Sequence, residues 1–179
     1  MGEAKQLLQF RGKPLVRYVA ETALAAGCSP VVVVLGANHE AVEGALAGLP
    51  VVTAVNHNWA AGMGGSIQTG LRAVEASSAE AAILALADQP FVGEAFFRTL
   101  ISEQARTGVA IVAATYSGTV GVPVLFAREA WPKLHALPPE QGCKGVILKN
   151  QQASLLMDCP DAAKDIDTPD DYARAVAGD

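Results

Sequence analysis

The chain has 179 residues and a formal net charge of −5, from 13 basic and 18 acidic side chains, which disfavours nucleic acid as a partner of the whole chain. With 51% hydrophobic and 17% charged residues and a mean hydropathy of +0.27, it can build one substantial core, and a single domain over 1–179 is expected. No apolar run approaches the roughly 20 residues that cross a bilayer and no basic stretch precedes an apolar start, so no membrane partner and a cytoplasmic location are expected.

Residues 1–17 carry Lys5, Arg11, Lys13 and Arg17 against Glu3 alone, an opening that suits a small anionic ligand and plain solvation equally. Residues 14–26 place Leu15, Val19 and Leu24 on one face and stop at Gly27, which predicts a helix with Pro14 in its first turn. Ser29-Pro30 turns the chain into a strand over 31–35. A short helix over 40–47 and a second strand over 51–55 follow. Residues 59–66, WAAGMGGS, then lead into a helix with Ile67, Leu71 and Val74 on one side. Its glycines permit close backbone approach or positive φ, and Ser66 can cap the helix while free N–H groups face an anion or base.

Residues 81–90, AAILALADQP, run seven apolar side chains up to Asp88. That shape predicts a buried strand delivering a carboxylate to an open sheet edge, although Asp-Gln-Pro is equally a turn. A helix over 93–106 presents Phe96, Phe97, Leu100 and Ile101 to the core. Strands over 109–114 and 123–126 are separated by 115–122, and 131–139 breaks into short helix and turn. A helix over 142–149, a strand over 154–157 and a last helix with Pro169 in its first turn complete the pattern. Such alternation predicts a three-layer α/β domain.

Cys28, Cys143 and Cys159 are odd in number and far apart, which opposes a disulfide scaffold; Cys143 and Cys159 read as small apolar fillers. His39, His57 and His135 lack metal-binding spacing, so zinc is not expected. Asp167 is the second carboxylate of interest. It reads as the N-cap of the last helix, or as the partner of Asp88 in holding a hard cation such as Mg²⁺.

Six segments in order resemble one family: Gly2 to Leu8, Phe10 to Leu15, Asn58 to Ser66, Leu86 to Pro90, Gly121 to Phe126 and Asp165 to Tyr172. Together they look like the molybdopterin cytidylyltransferase branch of the MobA-like nucleotidyltransferases. The resemblance implies a Rossmann-like nucleotidyltransferase fold with a mostly parallel central sheet. It implies transfer of CMP from CTP to the terminal phosphate of a molybdopterin, with release of pyrophosphate. Lys5 matches the lysine that meets the triphosphate, Asp88 the metal-binding catalytic aspartate and Asp167 the late acidic ligand of Mg²⁺. Gly62, Gly64, Gly65 and Ser66 match the nucleotide-binding loop, and Gln89, Pro90, Gly121 and Pro123 the acceptor side. A molybdenum hydroxylase or its maturation factor is the implied protein partner.

Family members normally carry an apolar strand and an LAAGxSxR loop ahead of the Met-Gly at which this sequence begins. A sheet lacking its first strand is therefore expected, and the choice between CTP and GTP that the loop helps make is not readable. The alternatives are a relative using GTP or another phosphorylated acceptor, and a nucleotide-binding partner of a molybdenum enzyme that has lost catalysis. Val122 and Lys144 depart from the polar residue and the arginine common at their positions.

Overall fold

A computed structural model describes residues 4–177; Gly2 and Glu3, which open the first resembling segment, lie outside them. After a 3-10 turn at Lys5–Leu7 comes a hairpin of β1 (Gln9–Phe10) and β2 (Lys13–Pro14). Its turn residues Arg11 and Gly12 have φ of 50° and 73°, the pair of left-handed conformations that a two-residue hairpin demands. Pro14 closes β2 and immediately precedes α1 (Leu15–Ala25), so it stands ahead of the helix it was expected to join.

β3 (Val32–Leu35), α2 (His39–Ala45) and β4 (Val52–Val55) form a parallel unit, with Val32 opposite Val52 and Leu35 opposite Val55. Arg17 on α1 ties it together. Its guanidinium donates to the carbonyls of Ala45 at 3.1 Å and Ala47 at 2.9 Å, where the end of α2 leaves acceptors unfilled. α3 (Met63–Glu75) lies on β3 so closely that a Cβ on Gly70 would come within 2.8 Å of Val34 Cγ2.

β5 (Ala81–Leu84), α4 (Glu94–Thr107), β6 (Ile111–Tyr116) and β7 (Thr119–Ala127) follow, then α5 (Trp131–His135), α6 (Lys144–Lys149), β8 (Ser154–Asp158) and α7 (Pro169–Ala177). The larger sheet has the order β5-β7-β6-β8, in which β5, β6 and β8 share one direction and β7 alone runs against them. The reversal comes from Ser117 and Gly118, at φ of 48° and 72°, which fold β6 and β7 into a tight hairpin. Residues 115–122, expected to separate two strands, instead form the turn and the strand ends on either side. Among the described residues no ladder joins β3 and β4 to this sheet.

The strand expected to reach Asp88 stops four residues short of it, at Leu84. Leu84 pairs with Val124, and the next residue along β7 is Pro123, which has no N–H to extend the ladder. The β6–β7 register also shifts here, passing from Ala113 opposite Val124 to Ala114 opposite Gly121, so Val122 and Pro123 bulge out. Residues 85–88 consequently leave the sheet as an arm that ends in a turn at Ala87 and Asp88, where Gln89 N–H donates to the Leu86 carbonyl at 3.4 Å.

Alternation along β6 makes the layers. Ile111 and Ala113 face Ile67, Leu71, Trp131 and Ile147 on one side, while Val112 and Ala114 face Phe97 and Leu100 on the other. Ile101, expected in the core, is 39% exposed because Phe97 and Leu100 already fill the inward face of α4. No helix among the described residues is long and apolar enough to cross a membrane.

Cys143 lies in the first of these layers, and burial pushes its thiol up to about 11. An unfolded chain ionises its thiols near pH 8.5, so the stabilisation is complete below roughly that pH and is lost as pH rises through the folded value. Melting temperatures recorded between about pH 8 and 11 should fall more steeply for the wild type than for Cys143→Ala. Parallel slopes would assign the alkaline loss to other groups.

Candidate active site

Three of the residues singled out in the sequence meet at one point. Lys5 Nζ lies 2.6 Å from Asp88 Oδ2 and 2.5 Å from Asp167 Oδ1, bridging side chains from the start, middle and end of the chain. Asp88 arrives on the arm that leaves β5. Asp167 is brought alongside by the backbone, because Ile166 N–H donates to the Asp88 carbonyl at 2.9 Å. Ile166 is 1% exposed and packed with Phe10, Leu15 and Ala175, so its two flanking aspartates are held at the rim of that core.

The rival role for Asp167 falls to its neighbour. Thr168 N–H donates to Asp171 Oδ2 at 2.7 Å and Asp171 N–H donates to Thr168 Oγ1 at 3.2 Å, a reciprocal capping box at the start of α7. With Thr168 as cap, Asp167 is left to Lys5.

The charges respond to this arrangement. Burial pulls the Lys5 ammonium down, but Asp167 and then Asp88, through hydrogen bonds and charge, more than offset it, and its pKa is raised. Hydrogen bonds from Lys5 and then Asp165 hold the Asp167 carboxyl below the usual range. Asp165 moves the other way, pushed up by burial first and then by Asp167 and Asp88 beside it. Asp165 was not identified from the sequence as a site residue. Its position two residues before Asp167, with a buried isoleucine between, was the available signal.

Asp88 Oδ1 is buried and has no hydrogen-bond partner among the described residues. An orphaned hard oxygen beside a second carboxylate fits a divalent cation. No group of three His, Cys, Asp or Glu side chains among the described residues forms a ready-made cage, so the remaining ligands of such an ion would be substrate or water oxygens.

Gln89 and Gly121, expected on the acceptor side, meet through Tyr116. Gln89 is 5% exposed and donates to the Ala162 carbonyl at 2.8 Å, leaving its Oε1 unpartnered. Its amide also interacts with the Tyr116 hydroxyl, whose pKa burial nonetheless raises. A Cβ on Gly121 would fall 2.3 Å from that hydroxyl, so the glycine is what admits the phenol. Pro123 lies in the bulge beside Gly121, and Pro90 is buried one residue beyond Gln89.

The glycine-rich segment is built differently from expectation. α3 begins at Met63, so Gly64, Gly65 and Ser66 lie within it and Gly62 is its N-cap. Ser66 therefore cannot cap; its hydroxyl accepts from Asn56 Nδ2 at 3.0 Å. A Cβ on Gly62 would come within 2.6 Å of the Pro139 carbonyl oxygen, and one on Gly64 within 2.2 Å of that of Pro138. Both glycines thus admit the 138–141 backbone, and Gly64 N–H donates to Pro139 O at 2.8 Å. A Cβ on Gly65 would lie 3.4 Å from Asn56 Nδ2, at ordinary contact distance. Trp59 and Met63 beside this turn are 49% and 48% exposed.

Residues 1–154 match the family model for the MobA-like NTP transferase domain. The chain is 33% identical to nicotine blue oxidoreductase of Paenarthrobacter nicotinovorans over 96% of this chain and 87% of that one. It is 25% identical to the purine catabolism protein PucB of Bacillus subtilis over the same shares. Among solved structures, a manganese complex of Rv0371C from Mycobacterium tuberculosis superposes with a TM-score of 0.77 at 28% identity, covering 98% of this chain and 92% of that one.

Two glycines in comparable secondary structure separate packing from propensity. Gly64→Ala should destabilise the chain by about 2 kcal/mol or more, since the clash is with backbone. Gly145→Ala in α6, where nothing lies within 4 Å of the added carbon, should be neutral or stabilising by up to about 1 kcal/mol. Urea unfolding of both variants checks the pair; equal midpoints would show that the 138–141 contact yields without cost.

Proposed function

Because the chain belongs to the MobA-like NTP transferase family, we propose that it moves a nucleotidyl group from CTP, or from GTP as the alternative, to the terminal phosphate of a molybdopterin-type acceptor, releasing pyrophosphate. The observation that carries this reading is the Lys5 ammonium between Asp88 and Asp167. A phosphate oxygen attacking an α-phosphate is already a nucleophile, so the protein's tasks are alignment and charge neutralisation. No covalent Ser or Cys is required.

Asp88 and Asp167 would hold Mg²⁺, which offsets charge on the triphosphate when bound. Lys5 would supply a second positive charge to the triphosphate and reach the leaving pyrophosphate. Gly62, Gly64, Gly65 and Ser66 line the nucleotide side through the first turn of α3. Gln89, Pro90, Gly121 and Pro123 line the acceptor side, where Tyr116 adds a hydroxyl. The product would pass to a molybdenum hydroxylase or its maturation factor, and the chain acts as one domain on small-molecule substrates.

A second reading rests on the 33% identity to nicotine blue oxidoreductase, namely reduction of a related chromophore. The carboxylate pair favours the first, since hydride transfer has no use for two anions around an ammonium.

Pyrophosphate release should be measured with CTP or GTP and reduced molybdenum cofactor. Asp88→Asn and Asp167→Asn should each cut turnover by about 100-fold or more while leaving the melting temperature within a few degrees. For Asp167 that preserved stability is the sharper result, because Thr168 carries the cap. Unchanged turnover in both variants sinks the assignment. Bleaching of nicotine blue with a reduced nicotinamide donor, unaffected by Asp88→Asn, would establish the second reading in its place.

A further inference from the structure

We propose that the Lys5 ammonium is a built-in placeholder for the divalent cation, holding the two carboxylates together until metal and triphosphate arrive and then moving to the triphosphate. This rests on the reading that Asp88 and Asp167 are the metal carboxylates. The geometry carries it. A single nitrogen lies 2.6 Å from Asp88 Oδ2 and 2.5 Å from Asp167 Oδ1, and a Mg²⁺ ion bound by the same two oxygens at roughly 2.1 Å would crowd that nitrogen. Like charges at such a separation repel strongly, so ion and ammonium exclude each other there.

The carboxylates cannot simply drift apart when uncompensated. Ile166 N–H is bonded to the Asp88 carbonyl and the Ile166 side chain is buried, so the segments that bear them stay adjacent whatever cation lies between. Some positive charge is required at that point in every state. Lys5 can supply it and withdraw, because its backbone and its head are held differently. Leu7 and Leu8 pack into two separate core clusters and Leu15 N–H donates to the Leu8 carbonyl at 2.9 Å, fixing the main chain. The lysine side chain is 28% exposed on a flexible four-carbon stem that can swing without moving it.

The ammonium also leaves one donor atom unused. Asp88 Oδ1 is buried and unpartnered although Oδ2 of the same carboxylate is bridged. A small divalent ion can draw on both oxygens where the ammonium reaches one. Metal alone therefore has to displace Lys5 with nothing to receive it, whereas metal carried by a triphosphate brings the phosphate oxygens to which Lys5 transfers. Binding of the two is coupled through this one side chain.

The coupling is read with Mn²⁺ alone, by electron paramagnetic resonance of the free aquo ion and by the metal-induced rise in melting temperature, with no nucleotide present. Lys5→Gln and Lys5→Met should each bind Mn²⁺ about tenfold more tightly than the wild type. They should also gain more thermal stability from it. Lys164→Gln removes the same charge one residue from Asp165 and should leave Mn²⁺ affinity within about twofold, which separates displacement from a general change of field. In the Lys5→Gln background, Asp88→Asn should abolish the added affinity. Equal or weaker binding by both Lys5 variants, or an equal gain from Lys164→Gln, overturns the placeholder role while leaving the metal site in place if Asp88→Asn still weakens Mn²⁺ binding. Mn²⁺ binding indifferent to both Asp88→Asn and Asp167→Asn removes the metal site itself, and the placeholder with it.

Discussion

One backbone hydrogen bond, from Ile166 N–H to the Asp88 carbonyl, sets where the three charged side chains meet. It joins the arm leaving β5 to the segment entering α7, and so places Asp88 and Asp167 on either side of the Lys5 ammonium. Neither carboxylate is anchored by regular secondary structure. Both depend on what lies behind them, the cluster of Phe10, Leu15, Ile166 and Ala175. Burying a large apolar side chain such as Ile166 is worth about 2–3 kcal/mol, more than any exposed ion pair contributes. Apolar packing therefore positions the charges, and the ion pairs form because the packing has already brought them together.

The irregularities elsewhere in the sheet serve the same end. Pro123 denies β5 a further rung, and the bulge at Val122 and Pro123 frees the arm that carries Asp88 and Gln89. On β7, Gly121 is bare enough for Tyr116 to lie across it toward Gln89. On the opposite flank, the glycines of α3 receive the 138–141 backbone, so that the first turn of the helix is fixed by a distant loop instead of by a capping side chain. Ordered packing at these points substitutes for hydrogen-bond ladders that the sheet does not continue.

Much of this was legible in the residues themselves. The apolar run before Asp88, the opening lysine and the acidic step before Thr168-Pro169 each marked a residue that the structure brings into one cluster. What was not legible depended on partners. The end of β5 is decided by a proline on another strand, and Ser117-Gly118 reads as loop until its neighbours are seen to pair. That Gly64 admits the Pro138 carbonyl oxygen into the space a Cβ would take was not legible, because that carbonyl belongs to a distant loop. Asp167 read equally as a cap and as a partner of Asp88; the reciprocal bond between Thr168 and Asp171 gives the cap to Thr168. Asp165 and Tyr116 belong to the same class, polar side chains whose role is set by what faces them.

The Lys5 to Asp167 contact spans 162 residues of sequence. During synthesis the lysine leaves the ribosome long before its second carboxylate. Until the segment around Ile166 docks, Asp88 has no second carboxylate beside it, and Lys5 has only one of its two acidic partners. The three-residue cluster is therefore complete only once the segment around Ile166 has docked beside the arm that carries Asp88.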